Sequence, residues 1–108
     1  MDYEKLYADF SKLHSSEMDV RLAPPKDAYE TVLYLLRNAG LSPNQHNAIC
    51  YRYGVIDGVS RTYKETAALM CNSASASRTL VIKGLRKFKS DKCFGVLMRG
   101  VSEKKSVV

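Results

Sequence analysis

Basic side chains in the C-terminal third of the chain are the clearest candidates for chemistry. Arg78, Lys83, Arg86 and Lys87 follow one another without an intervening acidic residue. Cations at this density bind phosphates, because neutralising a nucleic acid releases its condensed counterions. The pattern favours a polyanionic partner. The alternative that composition leaves open is a basic face that contacts only water.

The charge is unevenly distributed along the chain, whose formal net charge is +6. Residues 1–40 contain five basic and seven acidic residues, residues 41–73 three and two, and residues 74–108 nine and two. The local balances are therefore −2, +1 and +7. We expect a polyanion to bind the C-terminal third, where the electrostatic potential is most positive.

Histidine and cysteine provide few other chemical options. His46 and Cys50 are four residues apart, a spacing that can activate a thiol on a helix, but no third partner accompanies them. The cysteines Cys50, Cys71 and Cys93 lack the close ligand spacing of zinc sites, and only His14 and His46 remain as co-ligands. We predict no enzymatic activity, no metal site and no cofactor. Cys50 and Cys71 are expected to pack as small hydrophobic residues.

Length and composition indicate one folded domain. The chain has 108 residues, 45% of them hydrophobic and 26% charged, which is typical of a globular protein. No window approaches 18 consecutive apolar residues, and the N-terminus lacks the pattern of a secretory signal. We therefore expect a cytoplasmic protein that does not bind a membrane. The oligomeric state is left open.

The apolar spacing predicts an all-α fold, a small bundle of four to six helices. Leu6, Phe10 and Leu13 recur at helical spacing, so a first helix is expected there. A connector with two prolines follows, and residues 27–39 predict a second helix that Asp27 caps. Its apolar face includes Tyr29. Residues 1–40 would form an N-terminal helical extension.

Two further helices are marked by their ends. Ser42 and Pro43 suit an N-cap and a first helical position, and Gly54 suits a left-handed helix end. Ala48, Ile49, Tyr51 and Tyr53 are expected on the buried side. After a compact turn, Thr62 and Glu65 have capping-box spacing and predict a fourth helix.

A fifth helix is predicted from an N-cap at Ser73 to about Phe88. Leu80, Val81, Leu85 and Phe88 lie on one face, whereas Arg78, Lys83, Arg86 and Lys87 would face solvent or phosphate. Two helices joined by a short turn, the second one basic, are typical of a helix-turn-helix motif. We assign this motif to residues 41–90. Residues 91–108 would form a short C-terminal helix and a polar tail.

The same stretch resembles region 4 of the sigma-70 family of bacterial RNA polymerase sigma factors. The resemblance covers about half of the chain without a gap. It rests on the order and spacing of Arg-Tyr-Gly, Asp-Gly, Arg-Thr and Leu-Arg-Lys. The matching residues are Leu41, Pro43, Arg52, Tyr53, Gly54, Asp57, Gly58, Arg61, Thr62, Glu65, Ser73, Arg78, Leu85, Arg86 and Lys87.

The resemblance implies a helical domain that binds duplex promoter DNA through the second helix of its motif and docks on the flap of the RNA polymerase core. It implies phosphate contacts at Arg52, Thr62, Tyr63, Arg78 and Lys83. A helix start capped by Thr62 would also attract an anion through its free backbone N–H groups. The full set of expected DNA-binding residues is Arg52, Thr62, Tyr63, Ser73, Ala74, Ser75, Arg78, Thr79, Lys83 and Arg86.

Several positions depart from the family pattern. Ala74, Ser75, Ala76 and Thr79 stand where the family has long polar side chains that read base edges. Such side chains discriminate by about 1 to 3 kcal/mol for each bidentate contact, and these four cannot make one. Relaxed specificity and loss of DNA binding are both open. Ser77 and Gly84 replace larger apolar residues, and an interior helix glycine costs about 1 kcal/mol relative to alanine.

The sequence thus predicts a DNA-binding transcription regulator, or a stand-alone or split sigma subunit. We do not expect a complete sigma factor, because no segment resembles the region that binds the polymerase clamp. One alternative is a protein-interaction module that mimics region 4 and binds RNA polymerase or another regulator without reading DNA sequence. Another is a generic nucleic-acid binder that uses only the basic C-terminal third.

Overall fold

A computed structural model describes residues 1–13 and 26–88, which form five helices and no strand. The helices are α1 (Tyr3–Leu13), α2 (Ala28–Asn38), α3 (Pro43–Tyr53), α4 (Tyr63–Met70) and α5 (Ala74–Lys87). The predicted all-α bundle of four to six helices is confirmed at this level. The proline-containing connector, Cys93 and the expected C-terminal helix lie outside the described residues.

Three helices begin where the sequence predicts, because their caps depend only on neighbours in the chain. The hydroxyls of Ser42 and Thr62 each accept a hydrogen bond from the backbone N–H three residues later. The side-chain oxygens of Gln45 and Glu65 in turn accept a hydrogen bond from the backbone N–H of the capping residue. Ser73 likewise caps α5 with a side-chain bond. The starts of α3, α4 and α5 are therefore well defined.

Four local predictions need correction. Asp27 stands at the N-cap position of α2 but makes no capping bond, and its carboxylate accepts instead from the Thr31 hydroxyl at 3.4 Å. Tyr29, expected on the apolar face of this helix, is 48% exposed. Tyr51 is only half-buried. Cys71 is exposed, because it forms the left-handed end of α4, whereas Cys50 is buried as expected.

The core joins four of the helices. Its fully buried large side chains come from α1, α2, α3 and α5, and α4 packs chiefly on α5. Helix α1 also bonds to α3: the Asp2 N–H donates to the Tyr53 carbonyl at 2.8 Å, and the Tyr53 hydroxyl donates to Asp9 at 2.7 Å. Burial, and then this bond to Asp9, raise the pKa of Tyr53 above its ordinary value. The N-terminal helix is thus part of the same core.

Gly84 has a packing role that its helix propensity does not reveal. It is buried in α5, and a Cβ atom at this position would lie 2.6 Å from Cδ1 of Ile49 on α3. Ile49 is itself fully buried. The missing side chain therefore lets α3 and α5 approach closely, which offsets part of the intrinsic cost of an interior glycine.

Candidate nucleic-acid interface

Helix α5 has one buried face and one basic face. Ser77, Val81, Gly84 and Leu85 are buried against the rest of the bundle. Arg78, Lys83 and Arg86 are exposed on the other side, and α5 contains no acidic residue. Its exposed positive charge is therefore not compensated within the helix, and this face can bind phosphates.

The first turns of α5 carry short side chains. Ser73, Ala74, Ser75 and Thr79 are all exposed. The Thr79 hydroxyl donates to the Ser75 carbonyl at 3.0 Å, so it can still accept a hydrogen bond but has its own proton engaged. These positions allow a partner to approach the helix backbone closely, and they offer few donors for reading bases.

The start of α4 holds two of the expected phosphate contacts next to a carboxylate of the chain itself. Thr62 is exposed and Tyr63 half-buried, but the Glu65 carboxylate already accepts the Thr62 backbone N–H at 2.9 Å. The hydrogen bond from the Thr62 backbone N–H is the largest cause that lowers the pKa of Glu65, and the side-chain bond with Thr62 is the next. The negative charge of Glu65 would repel a phosphate, whereas the backbone N–H groups of Tyr63 and Lys64 are not used by the capping bonds.

Arg52 lies in the interior. It is 9% exposed, donates to the Arg61 carbonyl and lies 3.9 Å from the Asp9 carboxylate. Its guanidinium stacks on the ring of Tyr63, with 3.9 Å from its central carbon to the ring centroid. Its Nε is buried without a hydrogen-bond partner among the described residues. The sequence does not reveal this burial, because Asp9 is distant along the chain.

Lys87 is also less available than the sequence suggests. Its ammonium group donates to the Gly40 carbonyl at 3.1 Å and to the Gln45 side-chain oxygen at 2.7 Å. These bonds tie the end of α5 to the start of α3. Lys87 therefore acts mainly in packing, and the exposed basic set of α5 consists of Arg78, Lys83 and Arg86.

The expected interface residues thus separate into three groups. Most lie on α5 or its cap, two lie at the start of α4, and Arg52 lies inside the bundle. The structure nevertheless brings Arg52, Tyr63 and Arg78 together around a single groove of about 460 Å³ between α1 and α5. We call it the α1–α5 groove; six residues that line it are Asp9, Lys12, Arg52, Tyr63, Arg78 and Ile82.

Lys12 is the lining residue that sequence reasoning missed. It lies on α1, in a segment that the sequence predicts to be an N-terminal helical extension, whereas Arg78 lies on α5. Only the packing of α1 against α5 places both cations on one groove. No local spacing in the sequence signals this pairing.

The His46 and Cys50 pair shows no sign of an activated nucleophile. The sulfur lies 3.8 Å from Nδ1 of the imidazole, a long contact. Burial raises the pKa of the Cys50 thiol to about 11, so the reactive thiolate is scarce at neutral pH. In residues 1–13 and 26–88, no three His, Cys, Asp or Glu side chains cluster as metal ligands would.

Within the same ranges, each helix is too short or too polar to cross a bilayer; the longest, α5, has 14 residues. Comparison of the chain with protein-family models, with curated proteins and with solved structures found no significant match.

Proposed function

We propose that this chain is a DNA-binding transcription protein with a helix-turn-helix motif like that of sigma region 4. In this proposal α4 and α5 form the motif, and α5 binds duplex DNA. The observation that supports it is the exposed basic face of α5, where Arg78, Lys83 and Arg86 have no acidic neighbour on the helix. The proposed partners are promoter DNA and the flap of the RNA polymerase core.

Phosphate contacts would supply most of the affinity. Ser75 and Thr79 are the exposed, uncharged polar side chains in the first two turns of α5, and both are too short for bidentate contact with a base. Arg78 and Lys83 can each neutralise a phosphate. We therefore expect binding that depends strongly on salt and only weakly on sequence.

Titration of duplex DNA at several salt concentrations tests this proposal. Arg78→Ala and Lys83→Ala should each weaken binding about equally on all sequences and reduce the salt slope by about one unit. Arg37→Ala removes an exposed cation from α2 and serves as the matched control. The absence of salt-dependent binding to any duplex would reject the proposal.

Selection of bound duplexes from a random pool then tests sequence reading. The short side chains of α5 predict little or no enrichment beyond shape preferences. A strongly enriched motif would contradict this expectation and assign base reading to other groups.

A second candidate function is a protein-interaction module that binds polymerase without reading DNA sequence. It is favoured by two exposed apolar residues in the connection between α3 and α4: Ile56 is 78% exposed and Val59 is 51% exposed. Apolar side chains held on the surface often mark a protein contact.

Pull-down with the isolated polymerase flap distinguishes this candidate. Ile56→Ser with Val59→Ser should reduce capture, whereas Arg78→Ala with Lys83→Ala should leave it intact. If the wild-type chain is not captured, the interaction candidate and the proposed flap contact are both removed, whereas the proposed binding to DNA is unaffected.

A further inference from the structure

We propose that the α1–α5 groove binds a small organic anion in which a phosphate or carboxylate is attached to an apolar body about the size of one ring. The groove has a volume of about 460 Å³, within the range of roughly 300 to 1,000 Å³ of small-molecule sites. This binding does not depend on the proposed DNA interaction.

Positive charge dominates the lining of the groove. The lining contains three cationic side chains, Lys12, Arg52 and Arg78, and one carboxylate, Asp9. The Oδ2 atom of Asp9 already accepts from the Tyr53 hydroxyl at 2.7 Å, so this oxygen is engaged on the α3 side. Lys12 and Arg78 make no hydrogen bond or ion pair with any other described residue. Two cations are therefore available to an incoming anion.

Arg52 adds positive potential at the base of the groove. Its guanidinium is held by the Arg61 carbonyl and by the face of Tyr63, and both of these partners are neutral. Its carboxylate partner is distant at 3.9 Å, and its Nε has no partner among the described residues. The charge of Arg52 is thus incompletely compensated in a partly desolvated site, where electrostatic attraction is stronger than in water.

The other part of the lining is apolar. Leu13, Ile82 and Leu85 contribute aliphatic surface from α1 and α5, and Tyr63 contributes an aromatic ring. A nucleic-acid backbone would use the cations but leave this surface exposed to water. A ligand with an apolar body covers both parts, which is the reason for inferring a small organic anion.

One consequence concerns DNA and, unlike the binding itself, rests on the proposed function. Arg78 lines the groove and also belongs to the exposed basic face of α5. A ligand anion held by Arg78 would compete with a phosphate of DNA for the same guanidinium. The groove would then act as an effector site that weakens DNA binding.

Titration of the isotopically labelled chain with phenyl phosphate, followed by NMR at constant ionic strength, tests the groove without DNA. Inorganic phosphate and phenol are the fragment controls. Phenyl phosphate should shift the signals of Leu13, Tyr63 and Ile82. It should bind about tenfold more tightly than inorganic phosphate, because burial of part of the ring adds to the ionic attraction.

Matched variants assign the binding to the groove. Lys12→Ala and Arg78→Ala should each weaken phenyl phosphate binding about fivefold or more, through the loss of one ionic contact. Lys83→Ala removes an exposed cation from the same helix but outside the groove, and it should have no effect. Ile82→Ser should weaken the binding of phenyl phosphate and leave that of inorganic phosphate unchanged.

Two results would overturn the inference. The first is equal affinity for phenyl phosphate and inorganic phosphate. The second is an equal loss of affinity in the Arg78→Ala and Lys83→Ala variants, which would indicate general attraction to a basic surface. Circular dichroism of each variant checks that the total helical content is unchanged, so that a folding defect is not mistaken for loss of the site.

Discussion

The connections on the two sides of α4 are built in different ways. Residues 54–62, between α3 and α4, are held by polar contacts with one another and with α3. Arg61 pairs with Asp57 and donates to the Tyr51 carbonyl at 3.1 Å, while its own N–H donates to the Arg52 carbonyl at 2.9 Å. The bond from Arg61 lowers the pKa of Asp57. The polar groups of this connection are largely used within the chain.

The connection between α4 and α5 has only three residues, 71–73. Cys71 adopts a left-handed conformation with φ 57°, and the Asn72 side chain accepts from the Ser77 hydroxyl at 2.6 Å. The side chains of Ala74 and Ser75 are exposed at the adjacent start of α5, where a partner can approach them.

This difference separates stability from binding within one motif. The longer connection fixes α4 relative to α3 with paired polar groups, and the Glu65 carboxylate accepts the Thr62 N–H at its helix start. The shorter connection places the exposed part of α5 at the surface. Substitutions in the first region should therefore change mainly the free energy of unfolding, and those on α5 mainly binding.

The largest effect is expected for Gly54→Ala. Gly54 has φ 68°, and a Cβ atom there would lie 2.6 Å from the backbone nitrogen of Val59. Left-handed strain and a clash with backbone should together reduce the free energy of unfolding by about 3 kcal/mol. Urea denaturation measures this loss.

Gly58→Ala is the matched control for that substitution. Gly58 has φ 76°, but a Cβ atom there would meet no neighbouring atom within 4 Å. Only the backbone strain should therefore reduce the free energy of unfolding, by about 1 kcal/mol. Equal losses in the two variants would show that the close approach of Val59 contributes nothing.

Arg52→Ala is expected to have the next largest effect. The substitution removes the bond to the Arg61 carbonyl, the pair with Asp9 and the stacking on Tyr63. Because the side chain is largely buried, the free energy of unfolding should fall by about 2 kcal/mol. Thermal denaturation measures this loss of stability, with Arg37→Ala as a control at an exposed position. If Arg52→Ala loses no more stability than Arg37→Ala, the buried role of Arg52 is contradicted.

Gly54 and Arg52 also illustrate what the sequence can and cannot predict. The roles of Gly54, Ser42, Thr62 and Ser73 are predictable because a cap or a helix end is set by residues within one turn. The interior position of Arg52 is not, because its partner Asp9 comes from another helix, and periodicity carries no information on that packing.

The candidate site is predictable to a similar extent. The basic face of α5 follows from helical spacing alone, which identifies Arg78, Lys83 and Arg86 as exposed cations. The bond of Lys87 to Gly40 is not predictable, since these residues are 47 positions apart. The α1–α5 groove escapes prediction for the same reason, because its lining combines helices from both ends of the described chain.

A smaller effect of opposite sign is expected for Cys71→Gly in the short connection. Cys71 is exposed and has φ 57°, a conformation that costs a non-glycine residue about 1 to 2 kcal/mol. Glycine relieves this strain but also raises the conformational entropy of the unfolded chain, which favours unfolding. The net stabilisation should therefore be about 0.5 kcal/mol. The urea midpoint should rise, and it should fall for Cys71→Val. A lower midpoint for glycine would show that the thiol makes a stabilising contact.

The smallest effect at neutral pH is expected for Glu65→Gln, which tests how the start of α4 is stabilised. A glutamine oxygen can accept the Thr62 N–H as Gln45 accepts that of Ser42 in α3, so the capping bond is retained and only the charge is lost. The pKa of Glu65 is lowered from its ordinary value of 4.5. The folded state therefore binds fewer protons, and the charge stabilises the fold above the ordinary pKa.

This contribution is lost as the pH falls through the lowered pKa of Glu65. The wild-type chain should have a slightly higher urea midpoint than Glu65→Gln at about pH 6, and the two midpoints should converge as the pH falls below the ordinary pKa and the wild-type carboxyl becomes protonated. A gap that stays constant across this range would mean that the carboxylate charge does not act at the helix start. The negative charge at the start of α4 would then play no part in its contrast with the basic face of α5.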